Sequence, residues 1–164
     1  MRLFIAVCLS DAMRAAVREV QDQFLRHGVR GNYSRPENLH LTLAFIGEYP
    51  DPERVLEAME SVPFAPFALR LDGLGAYGDL WWVGLERIKP LMDYVSALRH
   101  ALSDADIPFD HKRFSPHITL VRRAQWDSRA VAGIVVPEAG MMVEHISLMR
   151  SDRGKAGMIY TEIL

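Results

Sequence analysis

The chain has 164 residues, enough for one domain or for two small lobes sharing a core. With 49% apolar and 24% charged residues and a formal net charge of −2, it has an ordinary globular balance. That charge excludes a surface that attracts nucleic acid without specificity, so a nucleic-acid substrate requires a locally basic groove.

Residues 2–9 read as a buried strand that holds the single cysteine, Cys8. One cysteine excludes an internal disulfide and any multi-cysteine metal site. The apolar run is too short for a membrane span and lacks a small-residue cleavage site, so the chain reads as soluble and cytoplasmic. Ser10 or Asp11 caps a helix with Ala12, Ala16, Val20 and Phe24 on its apolar face, and Gly28 stops it. Residues 30–38 are polar, contain Pro36 and read as a loop. A strand is expected over 39–46, ended by Gly47. A second helix starts at Asp51-Pro52 and runs to about Ser61. The alternation of Phe67, Leu69 and Leu71 predicts a strand over 67–75. Tyr77-Gly78-Asp79 turns the chain into a strand over 80–86. Leu91, Val95, Leu98 and Leu102 mark a third helix, from Leu91 to Ser103. A strand follows at 117–123, then a segment over 126–136 that is read as ambiguous, with a short helix starting at Asp127 as one reading. Strands over 141–150 and 157–163 are joined by a turn at Arg153-Gly154-Lys155. Short connections favour antiparallel pairing.

Two of these strands carry a repeated tetrad: His40-Leu41-Thr42-Leu43 and His117-Ile118-Thr119-Leu120. Two of only three threonines in the chain are used this way. On a strand, residues i and i+2 share a face, so each tetrad presents an imidazole and a hydroxyl together and sends its aliphatic residues into a core. Two αβ lobes facing each other, one tetrad in each, would bring two histidines to one cleft. Histidine titrates nearest neutral pH, so one ring can take a proton from water while the other gives one to a departing alkoxide. Hydroxyls and an arginine would stabilise the charge at the reacting centre. This kit suits in-line displacement at phosphorus, and a ribose 2′,3′-cyclic phosphate fits it well.

A lone His-x-Thr on a strand is most often a structural pair, and His145-Ile146-Ser147-Leu148 repeats the pattern with serine. Alternation alone does not say which copies share a cleft. A metal site has little support, because there is no His-x-x-x-His and no cysteine cluster. No P-loop or nucleophile elbow is present. The basic residues Lys112, Arg113, Arg122 and Arg123, with His111, bracket the second tetrad and are equally readable as a groove or as solvated strand ends.

The flanks carry more information. The stretches Asn38-Leu39-His40-Leu41-Thr42-Leu43-Ala44-Phe45-Ile46-Gly47-Glu48 and Phe114-Ser115-Pro116-His117-Ile118-Thr119-Leu120-Val121-Arg122 closely resemble the paired motifs of the two-histidine (2H) phosphoesterases. The nearest branch is that of the RNA 2′,3′-cyclic phosphodiesterases, once described as 2′-5′ RNA ligases. Arg2-Leu3-Phe4-Ile5-Ala6-Val7 and Leu80-Trp81-Trp82-Val83-Gly84-Leu85 match that branch too, and Ser151 to Tyr160 matches more loosely.

The resemblance implies an α+β fold in which residues 1–164 form one domain of two pseudo-symmetric lobes. Two antiparallel sheets would face a central cleft, with helices outside. It implies metal-independent, cofactor-free hydrolysis of RNA 2′,3′-cyclic phosphate ends to a 2′-phosphate by a monomer. His40 would be the proton donor, His117 the proton acceptor, and Thr42, Thr119 and Arg122 the phosphate contacts. On an ideal strand Arg122 has the opposite parity to His117, so reaching the phosphate requires a bulge or a strand end near Val121. Phe45 has the parity of Leu43 and reads as core, and His145 reads as a neighbour of the cleft on an adjoining strand. Tyr33, Phe45 and Trp81 are the candidates for stacking a terminal base. Two alternatives stand beside the enzyme: a non-catalytic module that binds RNA ends or nucleotides, and a phosphodiesterase for another cyclic phosphate or a 2′-5′ linked substrate.

Overall fold

The computed structural model describes residues 1–126, 129 and 131–163. Nine strands and three α-helices follow in the order β1 (Arg2–Cys8), α1 (Asp11–Arg26), β2 (Arg30–Tyr33), β3 (His40–Glu48), α2 (Pro52–Glu60), β4 (Phe67–Tyr77), β5 (Leu80–Leu85), α3 (Lys89–Asp104), β6 (His117–Gln125), β7 (Gly140–Val143), β8 (Ser147–Gly154) and β9 (Gly157–Glu162). A 3₁₀ turn, Pro36–Asn38, precedes β3. The fold is α+β with two antiparallel sheets. One has the order β3-β1-β8-β9 and the other β2-β6-β5-β4-β7, so each sheet holds one tetrad strand.

The helices start and stop where the chemistry directs. The Ser10 hydroxyl accepts a 3.2 Å hydrogen bond from the Met13 N–H, and Gly28 takes the left-handed φ of 82° just beyond the end of α1. The buried stripe of α1 is Met13, Val17, Val20 and Phe24 rather than one built on Ala12 and Ala16. Larger side chains one position on bury more apolar area, and they rotate the helix to suit. Asp51 caps α2 through Arg54 N–H, with Pro52 in the first turn. Helix α1 packs against β6 and β7, while α2 packs on α3 and α3 reaches β3. One apolar cluster runs through both sheets and all three helices. In both tetrads the aliphatic residues Leu41, Leu43, Ile118 and Leu120 are fully buried in it.

Three expectations fail. The polar segment 30–38 contains the edge strand β2, which pairs with β6. Gly31 permits this approach, since a Cβ there would lie 2.7 Å from Val121 Cγ2 and 2.9 Å from the Arg122 carbonyl. The expected strand 141–150 is two strands on different sheets: β7 pairs with β4, and β8 pairs with β1. The chain crosses between the sheets at Glu144-His145-Ile146. The hairpin after β8 turns at Lys155-Ala156, with Gly154 opposite Gly157. The helix read from Asp127 begins outside the described residues. Among the described residues no helix is long and apolar enough to cross a membrane.

Candidate active site

A cleft of ≈ 470 Å³ opens between the two sheets, within the range of small-molecule sites. His40, Thr42, His117, Thr119 and Arg122 all line it. Each histidine is held in the same way. His40 Nδ1 lies 2.7 Å from the Asn38 carbonyl, and His117 Nδ1 lies 2.6 Å from the Ser115 carbonyl. A carbonyl only accepts, so Nδ1 carries the proton and Nε2 is the basic nitrogen of each neutral ring. His40 Nε2 sits 2.8 Å from the Thr42 hydroxyl, which donates to it in that state. Among the described residues nothing is hydrogen-bonded to His117 Nε2.

Aromatic rings wall each imidazole. Phe4 and Tyr160 lie 5.0 and 5.3 Å from the His40 ring, and Tyr77 and Trp82 lie 5.4 and 5.7 Å from that of His117. The Trp82 indole lies over Gly75, where a Cβ would come within 2.2 Å of it. Burial pushes the His40 pKa below its ordinary value, only partly offset by the bond to Asn38, and the charges of Arg122 and His117 push it the same way. Burial therefore favours neutral His40 at neutral pH. An anion bound there should restore its affinity for a proton. We expect the His40 ring, followed by NMR, to titrate below pH 6.5 in the free protein and higher in saturating sulfate, a probe that stays ionised throughout. An unchanged midpoint would refute this coupling.

Arg122 reaches the cleft through a bulge. In β6, Thr119 pairs with Trp82 and Val121 with Trp81, which leaves Leu120 as the extra residue. Leu120 and Val121 are both buried, and the parity of the strand flips after them. In β3, Thr42 pairs with Ala6 and Ala44 with Ile5, so Leu43 is the extra residue, the fourth of its tetrad as Leu120 is of the other. The flip overturns the expectation for Phe45, which faces the cleft and lies under the Arg2 guanidinium at 5.0 Å. Each bulge carbonyl has a side-chain donor from a helix. Arg99 gives Leu43 O two bonds of 3.2 and 3.1 Å, and Gln21 gives Leu120 O one of 3.0 Å. Leu120 O accepts from the Ser34 N–H as well, at 3.0 Å.

Of the basic residues around the second tetrad, only Arg122 lines the cleft. The groove is basic instead through Arg2, Arg35, Arg122 and Arg153, with no carboxylate among its lining residues. Of the stacking candidates, Tyr33 and Phe45 line the cleft, whereas Trp81 packs against Phe24 and Trp126. His145 lies in the crossing between β7 and β8, outside any strand. It is 70% exposed, sits 3.8 Å from Glu162, and does not line the cleft. Among the described residues no group of three or more His, Cys, Asp or Glu side chains is placed to hold a metal ion.

A profile of the 2′-5′ RNA ligase superfamily matches residues 9–155. The chain is 33% identical to an RNA 2′,3′-cyclic phosphodiesterase of Thermus thermophilus, over 98% of this chain and 87% of that one. It is 30% identical to the Archaeoglobus fulgidus protein of that name, over 99% and 98%. Among solved structures, a Thermus thermophilus protein superposes with a TM-score of 0.83 at 32% identity, covering 100% of this chain and 96% of its own. E. coli LigT shares the fold, with a TM-score of 0.83 at 24% identity over 99% and 94%. With its paired tetrads at one cleft between two sheets, the chain belongs to the 2′-5′ RNA ligase superfamily.

Proposed function

We propose that the protein hydrolyses RNA 2′,3′-cyclic phosphate ends to a 2′-phosphate, without a metal or other cofactor. The observation that carries this reading is the cleft itself: two histidines, two threonines and an arginine, drawn from strands of two different sheets, line one basic cavity. Water attacks phosphorus as His117 takes its proton at Nε2. The P–O3′ bond breaks, and His40 delivers a proton from Nε2 to the departing O3′. Thr42, Thr119 and Arg122 hold the non-bridging oxygens and stabilise the charge that builds on them. The anionic phosphate loads His40 as an acid, offsetting the burial that disfavours its charge.

We further read the chain as two pseudo-symmetric lobes. The shared bulge position, the paired aromatic walls and the equivalent carbonyl bonds of the histidines support this. A monomer is enough, since every group in the scheme comes from one chain, and the lone cysteine suits a reducing cytoplasm.

The depressed basicity of His40 favours a second reading in which the two histidines exchange roles. The names of the relatives at 33% and 30% identity support the substrate class. The deciding assay is a panel of cyclic phosphates, 2′-5′ linked dinucleotides included, incubated with EDTA and with the product isomer identified. A 2′-phosphate released from nucleoside 2′,3′-cyclic phosphates at undiminished rate in EDTA is expected. Binding without turnover would leave a nucleotide-binding module, and loss of turnover in EDTA would refute metal independence.

A further inference from the structure

A cyclic phosphodiester carries one negative charge, and Arg122 already stands with the histidines and threonines to meet it. The same cleft holds three more arginines and no carboxylate among its lining residues. Arg35 is engaged: it donates to the Met158 carbonyl and sits 3.5 Å from Glu37. Arg2 and Arg153 are not. Among the described residues neither side chain makes an ion pair or a hydrogen bond, and the only ring contact of either is Arg2 over Phe45.

The sheet register places this second pair. Ala6 lies opposite Thr42, and Arg2 opposite Ser151. Arg2 is thus four residues along β1 from the phosphate end, roughly 13 Å at about 3.3 Å per residue. Arg153 stands two residues beyond Ser151 on β8, on the same face, and Ser151 also lines the cleft. Phe4 and Phe45 form the floor between the two ends. Uncompensated guanidiniums facing one cavity repel one another, and an arrangement of this kind becomes favourable when an anion sits among them. A ligand anchored by its 3′-terminal phosphate at the histidines, with its sugar and base over the phenylalanine floor, carries its next anionic group toward Arg2 and Arg153.

We infer that Arg2, Arg153 and Ser151 form a second anion subsite for the 5′-phosphate of the terminal nucleotide, so that the cleft selects the end of a strand over a free nucleoside cyclic phosphate. This rests on the proposed phosphodiesterase reading, and the test separates the two. Turnover of adenosine 2′,3′-cyclic phosphate is compared with that of its 5′-phosphorylated counterpart. Binding of the corresponding products, adenosine 2′-phosphate and adenosine 2′,5′-bisphosphate, is measured by calorimetry. The 5′-phosphate is expected to raise kcat/KM at least tenfold, mainly through KM, to tighten product binding by a similar factor, and to steepen the dependence on salt. In Arg2→Gln, Arg153→Gln and the double variant, both ratios fall toward one; in Arg18→Gln, on the outer face of α1, they do not. A 5′-phosphate advantage that is absent in the parent, or that survives in the double variant, overturns the subsite. No turnover of either cyclic phosphate overturns the phosphodiesterase reading instead, and the calorimetric ratio then still decides the subsite.

Discussion

His40→Ala and His117→Ala are each expected to lower kcat for a nucleoside 2′,3′-cyclic phosphate by about 10²–10⁴, the range that a positioned general acid or base supplies. The double variant should be little worse than the poorer single one, because an acid and a base that act in one displacement are not additive. Folding should survive, since both rings face a cleft and the aliphatic partners that hold the strands stay in place. Equal circular dichroism and unchanged urea midpoints would establish that. An aryl phosphodiester assigns the roles, because 4-nitrophenolate departs without a proton. Relative to its own variant's loss on the cyclic substrate, the acid variant should recover most of its rate there and the base variant none. Recovery in His40→Ala fits His40 as donor, recovery in His117→Ala reverses the assignment, and full activity of either variant on the cyclic substrate sinks the paired mechanism.

Arg122→Ala should cost about 10²–10³ in kcat/KM, comparable to deleting one preorganised donor from an oxyanion site. Arg122→Lys should restore only part of this, because an ammonium lacks the planar fork that meets two phosphate oxygens together. The loss should appear in kcat as well as KM if the guanidinium follows charge building on the phosphoryl oxygens. Steady-state kinetics on the cyclic phosphate read this directly. A change confined to KM, or a fully active lysine variant, would reduce Arg122 to a general attractor of anions.

What sequence reasoning reached and what it missed divide along a physical line. The period-2 alternation that sets His40 and Thr42 against Leu41 and Leu43 is local, and so it was legible. The helix starts at Ser10 or Asp11 and at Asp51-Pro52 were legible for the same reason, and the structure gives the first cap to Ser10. Parity beyond each tetrad was not. One unpaired residue, Leu43 or Leu120, reverses the side chains that follow it until the next shift in register, and nothing in the residues themselves marks a bulge. Phe45 therefore read as core, and Arg122 reached the cleft only on condition of such a bulge. The rim strand β2 hid because an edge strand beside a wet cleft is polar, like a loop. The split between β7 and β8 had no signal, since an apolar run reads the same whichever sheet it joins. The arginines Arg2 and Arg153 come from opposite ends of the chain, and only the pairing of β1 with β8 puts them on one wall.

That pairing also governs how the molecule must be made. Strand β1 lies in the middle of its sheet, yet one of its neighbours, β8, is synthesised much later: Cys8 and Ser147 touch although they stand 139 positions apart. At about 5–20 residues per second, a ribosome needs on the order of ten seconds to supply that partner. Through this interval the run Leu3-Phe4-Ile5-Ala6-Val7 can pair with β3 but keeps its other edge open, a template for joining another nascent chain. Tyr160, one wall of the His40 site, arrives later still. Pairings this distant in sequence slow folding, and the side of the cleft formed by β8 and β9 can close only after both strands have been made.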